Sequence, residues 1–259
     1  MSVGIIGLGT VGSAMFRGFR SVGLDVFGYD ADPVKSHHIL EDVLSQRIVL
    51  ISLPTPTDED GSCDLSALNN LLEKASHLKV DGLIVIRSTI PVGTTDQLMA
   101  RYPSLKIGFS PEFLRERFAD YDFMNPPFVV YGGNHAGSYF ETLRYVHGDT
   151  CTNQIILSTT EAELLKLTLN GFAALKTVFA SELAGFAKSV DADWSKVVSA
   201  AQFDGRMGKD YLHAEGPDQK PGFGGNCLPK DCRMLIEQLG NECLLASTLR
   251  INARLREGA

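Results

Sequence analysis

The most constraining feature of this chain is a glycine-rich hexapeptide, Gly7-Leu8-Gly9-Thr10-Val11-Gly12, which joins an apolar run to an amphipathic one. Residues 3–7 predict a short buried strand, and residues 11–22 predict a helix. In a GxGxxG turn the first glycine allows the tight bend, the second lets the backbone approach an anion, and the third lets the helix pack on the strand. The hexapeptide therefore predicts a strand, a tight turn and a helix.

Further short apolar runs follow at residues 24–29, 48–53, 83–86 and 128–131. They alternate with helical patterns such as the one at 65–78. Strands that alternate with helices, and whose apolar runs are too continuous for a one-sided sheet, indicate a parallel sheet with both faces covered. The first part of the chain, residues 1–155, is predicted to be an α/β, doubly wound, Rossmann-like domain.

The pattern changes near residue 159. Thr160 followed by Glu163 has the spacing of a capping box, and the helical apolar period that follows predicts one helix of about 30 residues. Further helices are predicted at 194–201, 228–239 and 244–256, with a polar loop rich in glycine and proline at 204–225. We expect a boundary between 148 and 160 and an all-helical second domain at 156–259.

The hexapeptide also indicates a cofactor. The start of the helix would face a pyrophosphate, and Asp30 stands 18 residues after Gly12, where a carboxylate accepts hydrogen bonds from a ribose 2′-hydroxyl. A carboxylate there disfavours a 2′-phosphate, so NAD is expected rather than NADP. Lys35 would help to neutralise the cofactor, although an ordinary solvated lysine explains it equally well.

Composition narrows the class of partner. The chain has 24 Lys+Arg against 31 Asp+Glu, a formal charge of −7, so there is no basic surplus for nucleic acid or an anionic membrane. No apolar run reaches the roughly 18–20 residues of a membrane helix, and the first residues lack a signal-peptide pattern, so we expect a cytoplasmic protein. The six histidines have no metal-ligand spacing, so no metal site is predicted. The cysteines are odd in number, form no CxxC pair and are predicted to be reduced thiols: Cys63, Cys151, Cys227, Cys232 and Cys243.

The decapeptide at 222–231, GFGGNCLPKD, places three glycines just before Cys227. Glycines allow a substrate to approach the backbone closely, and Lys230 and a following helix N-terminus would stabilise a thiolate. Cys227 is therefore a candidate nucleophile. The alternative is that it is a small buried apolar side chain, as most free cysteines are.

Two further clusters are candidates for chemistry. Lys166 and Asn170 are four residues apart on one predicted helix face, with Glu163 a turn earlier, and would hold an oxyanion or orient a water. The alternative is a surface ion pair between Glu163 and Lys166. Glu112 and Glu116 are predicted to share a helical face behind a proline, as base and water-positioner, or else to be ordinary acidic residues of a first helical turn.

Six blocks together make the chain resemble the UDP-glucose/GDP-mannose dehydrogenase family, NAD-dependent enzymes that oxidise a sugar-nucleotide alcohol to a carboxylate. The resemblance covers nearly the whole chain. The blocks are GLGTVG at 7–12, LPTP at 53–56, STIPVGTT at 88–95, SPEFLRER at 110–117, EAELLKLTLNGF at 161–172 and GFGGNCLPKD at 222–231.

The resemblance implies a four-electron reaction in two hydride steps that consumes two NAD. Cys227 would be the catalytic thiol, which forms a thiohemiacetal and then a thioester. Lys166 and Asn170 would stabilise oxyanions, and Asp231 would orient a water with Lys166. A neutral aldehyde gives up hydride with difficulty until a nucleophile makes its carbon tetrahedral, so a thiol beside a nicotinamide is chemically reasonable.

The remaining roles follow from the same matching positions. Thr89 would contact the water or the cofactor, Glu112 would be the base that hydrolyses the thioester, and Glu116 would lie near the nicotinamide. The cofactor contacts are then Gly7, Gly9, Thr10, Val11, Gly12, Asp30, Lys35, Pro54, Thr89, Glu116 and Lys230. The substrate contacts are Phe113, Leu114, Lys166, Asn170, Phe223 and Gly224.

Two departures from the family pattern bear on the substrate. Arg117 stands where glycine is usual and would alter the local backbone or the charge near the substrate. Family members continue from a connecting helix, resembled by 244–256, into a third domain that binds the nucleotide, whereas this sequence stops at Ala259. The expectations are a smaller substrate, a site completed by another chain or a dimer partner, or a remnant, and the retained catalytic side chains disfavour the last.

Other functions remain open at the level of sequence. A two-electron 3-hydroxyacid dehydrogenase of the 6-phosphogluconate or 3-hydroxyisobutyrate type shares the lysine-to-asparagine pair but leaves the cysteine block unexplained. A silent binder of NAD or a nucleotide sugar is the third candidate. Phe172, Phe179 and Phe186 recur every seven residues, which indicates either a homodimer seam or internal core.

Overall fold

A computed structural model describes residues 2–58, 60–148, 153–208 and 210–257. The chain forms two compact units. The first comprises Met1–Thr55 and Asp64–Lys166, and the second comprises Pro56–Cys63 and Leu167–Ala259.

The first unit is built on a twisted sheet in the order β2-β1-β3-β4-β5-β6-β7. Neighbouring strands are parallel except for β6, which runs antiparallel to β5. The strands are β1 (Ser2–Ile6), β2 (Asp25–Tyr29), β3 (Ile48–Ile51), β4 (Leu83–Ile86), β5 (Lys106–Phe109), β6 (Val129–Gly132) and β7 (Gln154–Leu157). The helices are α1 (Thr10–Ser21), α2 (Leu40–Leu44), α3 (Ser66–His77), α4 (Thr94–Arg101), α5 (Ala119–Met124) and α6 (Ala136–His147).

Apolar side chains cover both faces of this sheet. In β3 all four residues are buried, and successive side chains belong to opposite faces, with Leu50 in one core cluster and Ile51 in the other. Each such side chain stabilises the fold by about 1.5–3 kcal/mol. Burial on two sides explains the continuous apolar runs, and the predicted doubly wound sheet is confirmed.

Two strands escaped prediction. β5 contains Gly108, which weakens the strand pattern but is needed, because a Cβ there would lie 2.1 Å from the hydroxyl of Tyr131. β7 is an edge strand whose residues are largely exposed, so it shows no buried alternation. The antiparallel direction of β6 was also not foreseen.

The second unit is helical, with a core cluster formed by α7 (Thr159–Ser189), α9 (Cys227–Leu239), α10 (Leu244–Glu257) and the loop around Phe223. A short helix, α8 (Trp194–Ala201), follows α7. α7 begins in the first unit and has 31 residues, so the predicted long helix is confirmed. In the described part of the chain, no helix is both long and apolar enough to cross a membrane.

The start of α7 differs from the prediction. The reciprocal pair is Ser158 with Glu161: the Ser158 N–H donates to the Glu161 carboxylate at 2.8 Å, and the Glu161 N–H donates to Ser158 Oγ at 3.2 Å. Thr160 lies inside the helix, where its hydroxyl donates to Asp96 at 2.9 Å. The predicted Thr160–Glu163 capping box was wrong by two residues, because two overlapping patterns have the same spacing.

The phenylalanines of α7 are exposed. Phe172, Phe179 and Phe186 have exposed fractions of 58%, 51% and 63%. Their interpretation as internal core is therefore wrong for the chain as described. They form an apolar stripe along the helix.

Candidate functional site

The glycine hexapeptide forms the turn between β1 and α1 for the reasons its spacing suggested. Gly7 has φ +87, and a Cβ there would lie 2.3 Å from the Ser52 carbonyl oxygen. A Cβ on Gly12 would lie 1.8 Å from the Gly7 carbonyl oxygen, so only glycine lets α1 approach the strand. Gly9 has no atom within 4 Å of its Cβ position. The turn is tight at both ends and open at Gly9, where a phosphate has room.

Asp30 follows β2 and is tied to the same turn. Its carboxylate accepts the Leu8 N–H at 2.6 Å and the Asp32 N–H at 2.8 Å. The side chain is half-buried beside the glycines, where a ribose hydroxyl is expected. Lys35 is exposed, with its Nζ 3.6 Å from Asp32, so it takes part in a surface ion pair.

A cleft of about 520 Å³ opens beside the turn. It is lined by Gly9, Thr10 and Ser13 on one side and by the segment 116–121 on the other, so that both Glu116 and Arg117 border it. The open glycine, the free start of α1 and the oriented Asp30 fit a dinucleotide. The first unit thus brings the glycine turn and Asp30 together, with Glu116 at the border of the cleft.

The segments that follow β3 and β4 are joined by two hydrogen bonds. The Thr55 hydroxyl donates to the Thr89 carbonyl at 2.6 Å, and the Ser88 hydroxyl donates to the Leu53 carbonyl at 2.7 Å. Thr89 is half-buried and Pro54 is exposed. The LPTP and STIPVGTT blocks therefore fix each other at the carboxyl edge of the sheet.

Glu112 is not on a helix. Residues 111–115 have no regular structure, and Glu116 begins a short 3-10 turn (Glu116–Phe118). The predicted shared helical face of Glu112 and Glu116 is therefore wrong. Glu112 Oε1 accepts the N–H groups of Phe113 at 2.7 Å and Leu114 at 3.0 Å, and this local bonding competes with helix formation.

The other oxygen of Glu112 is bound by Arg87, a residue that the sequence did not single out. The two side chains form a largely buried ion pair, with Arg87 6% and Glu112 12% exposed. Arg87 also donates to the hydroxyls of Tyr139 and of Ser110, the latter at 3.2 Å, and these hydroxyls are 2.7 Å apart. Burial lowers the pKa of Arg87, but Tyr139 and Glu112 outweigh it and the net shift is upward.

Lys166 lies at the same cluster. Its ammonium donates to the Glu112 carbonyl oxygen and stands 5.5 Å from the centre of the Phe113 ring. These contacts bring Glu112, Phe113 and Lys166 together within the first unit. Leu114 is half-buried two residues beyond Glu112.

Glu163 does not form the surface ion pair with Lys166 that its spacing allowed. It is fully buried, and its carboxylate accepts the N–H groups of Gly93 at 2.6 Å and Thr95 at 2.7 Å, at the start of α4. Burial raises the pKa of Glu163. The surface ion pair with Lys166 is therefore wrong: Glu163 anchors α7 to the STIPVGTT block.

In the second unit, Cys227 is the first residue of α9 and is exposed. The alternative that it is a buried apolar side chain is therefore wrong. Cys232, on the next turns of the same helix, is fully buried, and burial above all raises its pKa to about 12. Cys151 lies outside the described residues.

One turn after Cys227 stands a polar pair. Asp231 is almost fully buried; its carboxylate accepts the Asn170 amide N–H, and it lies 2.8 Å from the Lys230 ammonium. The second unit thus brings Asn170, Lys230 and Asp231 together near the start of α9. Asn170 lies on α7, one turn after Lys166.

The glycine loop before Cys227 is held by two buried side chains that the sequence did not indicate. Asn252 of α10 accepts the Phe223 N–H at 2.7 Å and donates to the Phe223 carbonyl at 3.0 Å. The Ser181 hydroxyl accepts the Gly222 N–H at 2.8 Å. A Cβ on Gly222 would lie 2.3 Å from Asn252 Oδ1, and one on Gly224 would lie 2.9 Å from the Arg256 guanidinium. Phe223 is buried at the centre of these contacts.

Among the described residues, no group of three or more His, Cys, Asp or Glu side chains has the arrangement of a metal site.

Comparison with known proteins decides the family. Residues 35–149 match the NAD binding domain of the UDP-glucose/GDP-mannose dehydrogenase family, and residues 160–254 match the central domain of the same family. The chain belongs to this family. It carries the family's NAD-binding domain, and the glycine turn and Asp30 lie just before the matched residues.

Comparisons with individual members of the family support this assignment. The chain is 31% identical over 221 residues to a UDP-glucose 6-dehydrogenase of Rickettsia typhi, which covers 81% of this chain and 50% of that protein. The structure of a UDP-glucose dehydrogenase from Pyrobaculum islandicum is similar with a TM-score of 0.85 and 29% identity, over 98% of this chain and 68% of that one. The chain spans about half the length of the curated relative.

A 3-hydroxyisobutyrate dehydrogenase of Mycobacterium tuberculosis is also similar, with a TM-score of 0.71 over 98% of this chain and 94% of that one. At 16% identity this likeness shows a shared fold alone. This likeness therefore leaves the family assignment unchanged.

Proposed function

We propose that the protein oxidises the primary alcohol of a nucleotide sugar to the carboxylate, with NAD as acceptor, in a four-electron reaction through Cys227. The observation that carries the proposal is the exposed thiol at the first position of α9, one turn before the buried Asp231, which binds the Asn170 amide. A two-electron dehydrogenase has no use for such a thiol. Membership of a family named for UDP-glucose and GDP-mannose supports the substrate class.

NAD, when bound, supplies the acceptor for one hydride in each of the two oxidations. The residues proposed to hold it are Gly7, Gly9, Thr10, Val11, Gly12, Asp30, Lys35, Pro54, Thr89, Glu116 and Lys230. Their task is to fix the pyrophosphate at the start of α1 and the ribose at Asp30. Lys35 and Lys230 already have carboxylate partners in Asp32 and Asp231, so their contribution is expected to be small.

In the first oxidation, Asp231 and Lys166 orient the water that takes the proton from the alcohol, and Lys166 and Asn170 donate hydrogen bonds to the oxygen as negative charge develops. Asp231 fixes the Asn170 amide, so its second N–H is held in one orientation. Phe113, Leu114, Phe223 and Gly224 are proposed to bound the sugar.

In the second oxidation, the Cys227 thiolate adds to the aldehyde carbon and forms a C–S bond, and the carbonyl oxygen becomes an oxyanion held by Lys166 and Asn170. The tetrahedral carbon then loses hydride and becomes a thioester. Glu112 removes a proton from the water that attacks the thioester; the C–S bond breaks, the acid is released and the thiolate is restored.

We also propose that the protein is a homodimer and that the phenylalanine stripe of α7 is its interface. Three half-exposed phenylalanines along one helix leave an apolar surface that a second copy of the helix would cover. Light scattering should give the mass of a dimer, and Phe179→Lys should give that of a monomer. The chemistry needs a reduced thiol, which agrees with a cytoplasmic location.

Replacement of the thiol tests the mechanism. Cys227→Ser should lower carboxylate formation by about 10³-fold or more, because a serine hydroxyl is a poor nucleophile without a base. The control is Cys243→Ser, which also removes a thiol but lies just before α10, where its sulfur accepts the Ala246 N–H. Carboxylate formation by Cys227→Ser at the parent rate would contradict the proposal.

A further inference from the structure

Arg87 is a buried arginine that contacts the side chain of Glu112, the proposed base. Arg87 follows β4 and is buried beneath the segment that carries Glu112. One terminal nitrogen of the guanidinium donates to the hydroxyls of Tyr139 and Ser110, and the other donates to the Glu112 carboxylate. A planar guanidinium holds these partners on two sides at fixed angles.

The Glu112 carboxylate that Arg87 binds also binds the backbone that follows Glu112. Its Oε1 accepts the N–H groups of Phe113 and Leu114, while its Oε2 is held by Arg87. The backbone carbonyl of Glu112 then receives the Lys166 ammonium, which also lies over the Phe113 ring. A continuous set of contacts therefore joins Tyr139 to Lys166 through Arg87 and Glu112.

We propose that Arg87 is a positioning residue for the reaction and that it acts through Glu112. The inference rests on the proposed function and adds to it a residue that does not touch the substrate. Arg87 holds the carboxylate that takes the proton in thioester hydrolysis, and it holds the backbone that receives Lys166. A displacement of about 1 Å in such groups lowers the rate by about 100-fold.

The test compares four variants with the parent protein. Arg87→Lys keeps the charge but has one donor group in place of the fork. Arg87→Met removes the charge, and Glu112→Gln removes the proposed base. Arg87→Met combined with Glu112→Gln removes both charges, so neither is left buried without its partner. The matched control is Arg47→Met, an arginine of the same unit that pairs with Glu141 at the surface.

Arg87→Met should lower kcat by about 10- to 100-fold and leave the KM for NAD within about twofold, because the glycine turn has separate contacts. Arg87→Lys should recover part of the loss. The kcat of the double variant should lie within about threefold of the kcat of Glu112→Gln. A residue that acts through Glu112 has no further effect once Glu112 is changed. Arg87→Met and Glu112→Gln should each accumulate the acyl adduct on Cys227, detected by intact mass.

Hydrogen exchange separates a failure of this inference from a failure of the proposed function. The amides of Phe113 and Leu114 should exchange about tenfold faster in Arg87→Met than in the parent, because the carboxylate that accepts them is released, and they should be unchanged in Arg47→Met. If the parent protein turns over no nucleotide sugar, the proposed function fails, while this exchange still decides whether Arg87 orders the segment.

Three results would overturn the inference. The first is parent-like kcat in Arg87→Met. The second is an additive loss in the double variant, which would mean that Arg87 acts by another route. The third is unchanged exchange at Phe113 and Leu114.

Discussion

The chain contains two glycine loops that carry different parts of the proposed reaction, and they are determined in different ways. The loop at 7–12 makes its tightest contact within itself, because a Cβ on Gly12 would lie 1.8 Å from the Gly7 carbonyl oxygen, although Gly7 also packs against Ser52 just after β3. The loop at 222–225 is held by Ser181 and Asn252, which are 41 and 29 residues away from their partners. A local loop can be recognised from its sequence, whereas the second needs the tertiary structure.

The largest effect is expected at Gly12. In Gly12→Ala the new Cβ meets the Gly7 backbone oxygen at 1.8 Å, and backbone cannot move aside as a side chain can. We expect the free energy of unfolding to fall by about 3 kcal/mol or more, and NAD affinity to fall by over about 100-fold as the start of α1 is displaced. Thermal unfolding and calorimetric titration with NAD measure the two. Parent-like NAD binding would show that the turn is not the cofactor site.

A smaller effect is expected at Gly222. Alanine there has an unfavourable φ of +75 and a Cβ 2.3 Å from Asn252 Oδ1. The free energy of unfolding should fall by about 2 kcal/mol, since the strained backbone and the displaced side chain both contribute. Turnover should fall while calorimetric NAD affinity stays unchanged. If NAD affinity fell as well, the two loops would not be independent.

Asn252→Ala should leave the backbone of Phe223 without its two side-chain hydrogen bonds. The expected loss is about 1–3 kcal/mol in the free energy of unfolding by urea, because both backbone groups are buried. Turnover should also fall, since Cys227 follows this loop. The matched control is Asn125→Ala, whose amide bonds to the backbone at the exposed end of α5. Equal losses in both variants would contradict the special role of Asn252.

The smallest changes in stability are expected where each loop is open. Neither Gly9 nor Gly225 has an atom within 4 Å of its Cβ position, but only Gly225 has positive φ, at +75. Gly9→Ala should therefore leave thermal stability unchanged, and Gly225→Ala should cost about 1 kcal/mol. NAD affinity, measured by calorimetric titration, tests the phosphate site at Gly9. Gly9→Ala should weaken NAD affinity about tenfold, because its methyl group occupies the space proposed for the phosphate. Unchanged affinity would mean that the phosphate does not approach Gly9.

The same contrast explains what the sequence could predict. The doubly wound sheet, the turn at Gly7 to Gly12 and the length of α7 follow from patterns within a few residues, and each was predicted. The partners of Arg87 and Glu163 lie 23 to 70 residues away, and no local pattern indicates them. Glu112 was misplaced on a helix because its carboxylate bonds the next two backbone N–H groups, while Arg87, 25 residues earlier, binds its other oxygen.

The candidate catalytic residues were found by a different route. Spacing alone left Cys227 between nucleophile and buried side chain, and left Lys166 between a functional group and a surface ion pair. The exposure of Cys227 excludes the buried side chain and the burial of Glu163 excludes the surface ion pair, and exposure is a property of the packed chain. Sequence motifs indicated the candidate segments, and the packed chain shows the contacts within them.

The most direct test of the account is the number of NADH molecules formed per molecule of substrate consumed. Purified protein with excess NAD would be offered UDP-glucose, UDP-N-acetyl sugars and GDP-mannose in turn. A yield of two, with a carboxylate product, is the predicted result, because the Cys227 relay completes both oxidations before release. A yield of one with a carbonyl product, or no turnover of any of these substrates, would contradict it.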